Sequence, residues 1–144
     1  IVSHTGTNKE TAAQKNAGTL EVEYVPQGTL AERIRAYGAG LGGVLTPTGL
    51  GTIIQDGKQI VNVDGKDYIL EKPLKADIAF LRANIVDEEG NMVFLGTTQN
   101  FNPLMAMAAD YVVVEAEKLV KNGEIAPEQI HASGIFVDGI YLEK

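Results

Sequence analysis

VPQGTLAERIRAYGAGLGGVLTPTGLGT, residues 25–52, runs a strand end, a short helix and a glycine-dense loop together without a break. Seven glycines fall in this stretch. Glycine loses the most backbone freedom on folding, so such density points to positive φ or to a close approach of main chain to a ligand or another chain. Pro47 and the hydroxyls of TPTGLGT can fix turns, whereas a mobile linker is more often Ser and Gly alone. Ahead of the loop, Thr29 and Glu32 have capping-box spacing, and Leu30, Ile34, Tyr37 and Leu41 make an apolar stripe at helical period. Arg33 and Arg35 then read as cations near the helix C-terminus, and Gly38 as its stop. Gly38, Gly40 and Gly43 match G-x-G-x-x-G, but a dinucleotide fingerprint needs a strand before the glycines and a helix after them. Here the order is reversed.

Outward from this stretch, the 144 residues fit one domain, 1–144, with room for a sheet and covering helices. Nineteen acids against twelve bases give a net charge of −7 with no basic cluster, which argues against a nucleic-acid surface. With no cysteine, the chain has no disulfide framework, thiolate zinc site or thiol nucleophile. Apolar runs are too short to span a bilayer and the first residues lack a secretory pattern, so no membrane association and a cytoplasmic location are expected. The sequence opens at Ile1 in what reads as the middle of a strand, so an N-terminal piece is expected to be missing.

In chain order, IVSH reads as a short strand, and Thr7 with Glu10 as a capping box for a polar helix over 9–17. Residues 19–25 alternate like a strand ended by Pro26. Residues 59–63 and 66–70 flank Asp64-Gly65, a strong two-residue hairpin signal. Residues 76–86 read as a largely buried strand, turned through Gly90 into a return over 92–95. Asn102-Pro103 opens a helix of LMAMAAD, residues 111–115 form an apolar strand covered on both faces, and 135–142 close as a strand. The expected fold class is α/β: a mostly parallel sheet flanked by helices, with inserted β-hairpins.

Two histidines, His4 and His131, lie far apart without ligand spacing, so no metal site is read. Ser3 and Ser133 lie in no nucleophile elbow. Glu115, expected at the end of a buried strand, reads as a carboxylate lining a crevice beyond the strand ends or as a salt-bridged acid. Gln27 follows Pro26 and precedes a helix start, so its amide and the free N–H groups of the first turn either face a crevice or simply form a turn.

PQGTLAERIR at 26–35, the glycine run into TPTGLGT at 46–52, and NFNP at 100–103 together resemble the alpha subunit of family I coenzyme A transferases. The resemblance runs from Ile1 to the last strand and is nearest the acetate or butyrate to acetoacetate and 3-oxoacid enzymes. It implies transfer of coenzyme A from an acyl-CoA to a free short-chain carboxylate, with a glutamate of the beta subunit forming the covalent intermediate and no further cofactor. The partners implied are that beta subunit, in an alpha-beta hetero-oligomer, and the two substrates. Gln27 matches the family's active-site glutamine. Gly28, Gly42, Gly43, Thr46, Thr48 and Gly49 would shape the loop facing the partner, and Phe101 and Asn102 would border the substrate. Family members carry a preceding segment with a glycine-rich strand-to-helix turn, absent from these residues, so the resemblance also implies an N-terminally incomplete chain. Two rival readings stand beside it: a sugar-phosphate isomerase or sensor domain, which would want a basic residue in the glycine loop, and a non-catalytic assembly subunit.

Overall fold

Asp64 and Gly65 both take positive φ, 51° and 80°, so the chain reverses in two residues. The strands on either side, β2 (Ile60–Val63) and β3 (Lys66–Glu71), pair antiparallel with Val63 opposite Lys66. β1 (Val44–Thr46) joins the other edge of β3, giving the order β1-β3-β2. In this computed structural model, which describes residues 1–143, the sheet belongs to the first of two compact units, Ile1–Arg33 with Gly42–Pro73. The second unit comprises Ile34–Leu41 and the chain from Leu74 onward.

The first unit also holds helix α1 (Lys9–Asn16) and the first half of α2 (Gln27–Gly38). α1 is polar all round and buries nothing, as its sequence suggests. Its cap is Asn8, not Thr7: the Asn8 side chain accepts from the Thr11 amide at 3.0 Å, while Glu10 accepts from Gln14. Residues 19–25 do not form the expected strand. Among the described residues they pair only through one parallel bridge, Val2 with Tyr24, and without a ladder the alternation of Leu20, Val22 and Tyr24 stays unused. α2 starts two residues ahead of Thr29, because the Leu30 amide already bonds the Pro26 carbonyl at 2.8 Å. The buried face of α2 is also not the apolar stripe. Thr29, Arg33 and Ala36 are buried, whereas Tyr37 and Leu41 are exposed, a rotation of one residue that puts Arg33 mid-helix and inside rather than at a solvated end.

The second unit is built on β4 (Ala76–Asp87) and β6 (Ala109–Val120), which run parallel over their whole length, with Ala76 opposite Ala109 and Asp87 opposite Val120. β7 (Gly139–Leu142) continues the parallel sheet and β5 (Met92–Val93) closes it antiparallel, giving β5-β4-β6-β7. One face is core: Ala79, Leu81 and Ala83 from β4 and Val112, Val114 and Ala116 from β6 pack with Met92, Phe94 and Ala106. On the other face Tyr111 is 48% exposed and Phe80 73%, so β6 is half-covered where full burial was expected. The expected LMAMAAD helix is a single turn, α3 (Asn102–Met105), since Ala109 is already in β6. β7 is likewise shorter than residues 135–142, because Gly134–Phe136 form a 3-10 turn capped by Ser133. The fold is α/β, with a mostly parallel sheet, helices and inserted hairpins as the sequence predicts. No helix among the described residues is long and apolar enough to cross a membrane.

Candidate functional site

Gln27 is the first residue of α2 and is exposed. Pro26 sets the chain direction into the helix, and the first-turn N–H groups of Gln27, Gly28 and Thr29 have no carbonyl one turn back to bond. The segment that carries Gln27 is braced by residues near the start of the sequence. The Val2 amide donates to the Glu23 carbonyl and the Val25 amide to the Val2 carbonyl, both at 2.9 Å, Thr5 and Tyr24 share a hydroxyl contact at 2.9 Å, and the Ser3 hydroxyl donates to the Gln27 side-chain carbonyl. The Thr5 hydroxyl holds the Tyr24 phenol below its ordinary pKa, and Lys15, 4.5 Å above the ring, adds to the effect. Binding the Gln27 carbonyl to Ser3 leaves its NH2 as the free end, a neutral donor of two hydrogens.

Beside Gln27 lies an open cleft of about 420 Å³ lined by Pro26, Gly28, Thr29, Glu32, Val44, Leu45, Thr46 and Thr48. Three of the expected site residues, Gly28, Thr46 and Thr48, thus share one cleft with the first turn of α2. A Cβ on Gly28 would meet nothing within 4 Å, so Gly28 keeps the cleft wall low rather than relieving a clash. The Thr48 amide bonds the Thr46 hydroxyl at 3.2 Å, which turns the chain out of β1. Glu32 is the one ionisable residue in this lining.

The loop glycines divide by cause. Gly43 has φ 153°, and a Cβ there would sit 2.7 Å from the Glu71 carbonyl, so it is needed for β1 to reach β3. Gly49, at φ 96°, abuts Ile54 within the TPTGLGT turn, where Thr52 caps the 3-10 turn Ile53–Gln55. Gly42 is exposed and has open space where a Cβ would be. These three do not line the cleft.

Phe101 and Asn102 belong to the second unit. Asn102 lines a hollow of about 540 Å³ with Phe80, Leu81, Arg82, Val113, Glu115 and Tyr141. Its side chain is already committed: Oδ1 accepts from the Arg82 amide at 3.2 Å and Nδ2 donates to the Thr98 carbonyl at 2.9 Å. Asn102 therefore pins α3 to β4. Phe101, half-buried, precedes that turn and its carbonyl accepts from Leu104 and Met105. Glu115 lies in the middle of β6 rather than at its end, 3.9 Å from the Arg82 guanidinium, which also donates to Glu143 at 2.7 Å. The salt-bridged reading of Glu115 is the geometry found. His131 is likewise occupied, its Nδ1 accepting from the Phe94 amide at 3.0 Å.

Sequence reasoning missed Ser3 as the partner of Gln27, since nothing local links residues 24 apart. It missed Thr29 and Glu32 as cleft residues by reading both as caps.

The family profile for coenzyme A transferase matches residues 1–143. The acetate CoA-transferase subunit alpha of Escherichia coli (strain K12) is 49% identical over 144 residues, 100% of this chain and 66% of that protein. The acetoacetyl-CoA:acetate/butyrate CoA transferase alpha subunit of Clostridium acetobutylicum is 51% identical over 143 residues, 99% of this chain and 66% of that protein. This chain thus spans just under two thirds of the length of these curated relatives. Among solved structures, the acyl-CoA transferase apoenzyme from Escherichia coli O157:H7 shares the fold with a TM-score of 0.81 at 24% identity, over 92% of this chain and 29% of that one. Glutaconate coenzyme A-transferase from Acidaminococcus fermentans does so at 0.80 and 19% identity, over 91% and 48%. By its sequence from end to end and by its fold, this chain belongs to the coenzyme A transferase family, and its curated relatives are alpha subunits.

Proposed function

We propose that this chain forms part of the alpha subunit of a cytoplasmic, hetero-oligomeric transferase. It moves coenzyme A between an acyl-CoA and a short-chain carboxylate or 3-oxoacid such as acetoacetate. The reading rests on family membership and on one observation: Gln27 stands exposed at the start of α2, beside a cleft lined by Gly28, Thr29, Thr46 and Thr48, with its carbonyl tied back to Ser3. That arrangement leaves the amide hydrogens as the group to offer a substrate oxygen. The cleft lining contains no Lys or Arg, which disfavours a sugar-phosphate ligand there.

In this scheme the beta subunit supplies a glutamate. Its carboxylate oxygen attacks the thioester carbonyl, the C–S bond breaks, and coenzyme A leaves as thiolate from an acyl-glutamyl anhydride. The thiolate then attacks the glutamyl carbonyl and releases the acyl group as a carboxylate, leaving a glutamyl-CoA thioester. A second carboxylate reverses the two steps and departs as the new acyl-CoA. Each attack places negative charge on a carbonyl oxygen, and the Gln27 amide donates to that oxyanion or to the substrate carboxylate without changing protonation. Coenzyme A enters as substrate and the scheme calls on no other cofactor or metal.

Losing one such donor costs about 3 to 4 kcal/mol of transition-state stabilisation, so Gln27→Ala lowers turnover by at least about a hundredfold. The assay uses the full alpha chain co-expressed with its beta partner, acetyl-CoA and acetoacetate as substrates, and size-exclusion chromatography to verify assembly. Unchanged turnover in an assembled Gln27→Ala complex removes Gln27 from the mechanism. No transfer by the unaltered complex leaves the assembly-subunit reading in its place.

A further inference from the structure

Arg33 is a charged residue folded inward. Its side chain is 10% exposed, and it makes three contacts inside the first unit. Nε donates to the Lys72 carbonyl at 2.9 Å, Nη1 donates to Glu23 Oε1 at 2.9 Å, and Nη1 lies 4.0 Å from Glu71 Oε2. Glu71, at the end of β3, is 2% exposed and accepts from Lys58 Nζ at 2.6 Å. A buried carboxylate between two cations, with a forked donor reaching both a carboxylate and a carbonyl, is a rigid arrangement: a substitution that leaves either charge unpaired is costly.

The placement of these contacts relative to Gln27 gives them a consequence. Glu23 lies four residues before Gln27, in the segment bridged to Val2, and Arg33 lies six residues after it on α2. The Arg33–Glu23 bond therefore spans the junction at which the chain turns into the helix, and the Lys72 and Glu71 contacts fasten that junction to the sheet. Thr29, buried one turn before Arg33 on the same helix face, leaves the first turn little freedom to roll.

We propose that Arg33, with Glu23 and Glu71, is a positioning residue that fixes the angle and place of the Gln27 amide. It touches no substrate and acts through the backbone on both sides of Gln27. The proposal rests on the reading of Gln27 as the donor to the reacting oxygen. An amide that must meet an oxyanion at hydrogen-bond distance is sensitive to displacements well under 1 Å, which is what a two-sided clamp suppresses.

The test uses the full alpha chain with its beta partner. Arg33→Lys keeps the charge and loses the fork. We expect kcat to fall about tenfold while KM for acetyl-CoA stays within about twofold. In the Gln27→Ala background the same substitution should change kcat by less than about twofold, because the group being positioned is gone. Hydrogen exchange read at the Val25 and Leu30 amides, which bond Val2 and Pro26 on either side of Gln27, should accelerate about tenfold or more, with the β4 and β6 amides unchanged. Should Arg33→Lys fail to fold, Glu23→Gln, at a side chain that is 48% exposed, tests the same bond and should cost about threefold in kcat with the same exchange signature. An equal loss from Arg33→Lys in both backgrounds, or unaltered exchange at Val25 and Leu30, overturns the positioning role. A Gln27→Ala complex with full activity instead sinks the catalytic reading of Gln27, and with it the claim that Arg33 serves catalysis, while the exchange data report separately whether Arg33 holds the junction.

Discussion

The Ser3 hydroxyl donates to the side-chain carbonyl of Gln27, joining residues 24 apart in sequence at the surface of the first unit. An exposed glutamine otherwise samples several rotamers and turns its amide either way, so this one bond selects which end of Gln27 faces outward.

Ser3→Ala removes that selection and leaves the amide donor in place. A net hydrogen bond of about 0.5 to 1.5 kcal/mol translates into a turnover loss of roughly two- to twelvefold. Because both groups are exposed, the midpoint of thermal unfolding should barely move. Steady-state kinetics of the assembled complex and a melting curve check the two halves. A loss as large as that of Gln27→Ala would show that Ser3 does more than orient.

Gly43→Ala sets a methyl group against the Glu71 carbonyl, 2.7 Å from the new Cβ, at a φ of 153° that side chains rarely adopt. The Glu71 backbone is held in the β1–β3 ladder opposite Val44, the residue that follows Gly43. The strain should cost about 1 to 3 kcal/mol and loosen β1 first. Chemical denaturation measures the cost, and amide exchange across residues 44–46 locates it. A Gly42→Ala control, where a Cβ meets nothing, should be close to neutral.

Phe94→Ala empties the largest buried side chain of the second unit's core, where Phe94 is 0% exposed and packs among Ala79, Val86 and Met92. It also removes the ring stacked on His131 at 6.4 Å. The expected loss is about 3 to 5 kcal/mol by denaturant titration. Phe80→Ala, on the open face of the same sheet at 73% exposure, should change stability of this chain far less.

Features with a local cause could be read from the sequence. Asp64-Gly65 dictated its hairpin through φ alone, and β4 and β6 declared themselves by runs of β-branched and apolar residues. Failures occurred where the right local pattern lacked a partner. Residues 19–25 alternate without a strand edge to join, and Thr7–Glu10 has capping spacing while Asn8 takes the cap. α2 shows the limit most plainly: its period is correct, but Arg33 goes inward because Glu71, Glu23 and the Lys72 carbonyl are there to receive it. For the candidate site, Gln27 and the glycine loop were visible as motifs. That Gly28, Thr46 and Thr48 share a cleft while Gly43 and Gly49 serve packing was not.

By itself the sequence determined the α/β class, the places where the backbone must turn, and the motif carrying Gln27, because dihedral preference and side-chain period are properties of neighbouring residues. Only the tertiary structure decided which helix face is buried, that Ser3 orients Gln27, and that Arg33 is enclosed with Glu71. Those outcomes depend on which groups meet after distant segments close on one another, and a buried charge or a side-chain hydrogen bond exists only once its partner has arrived.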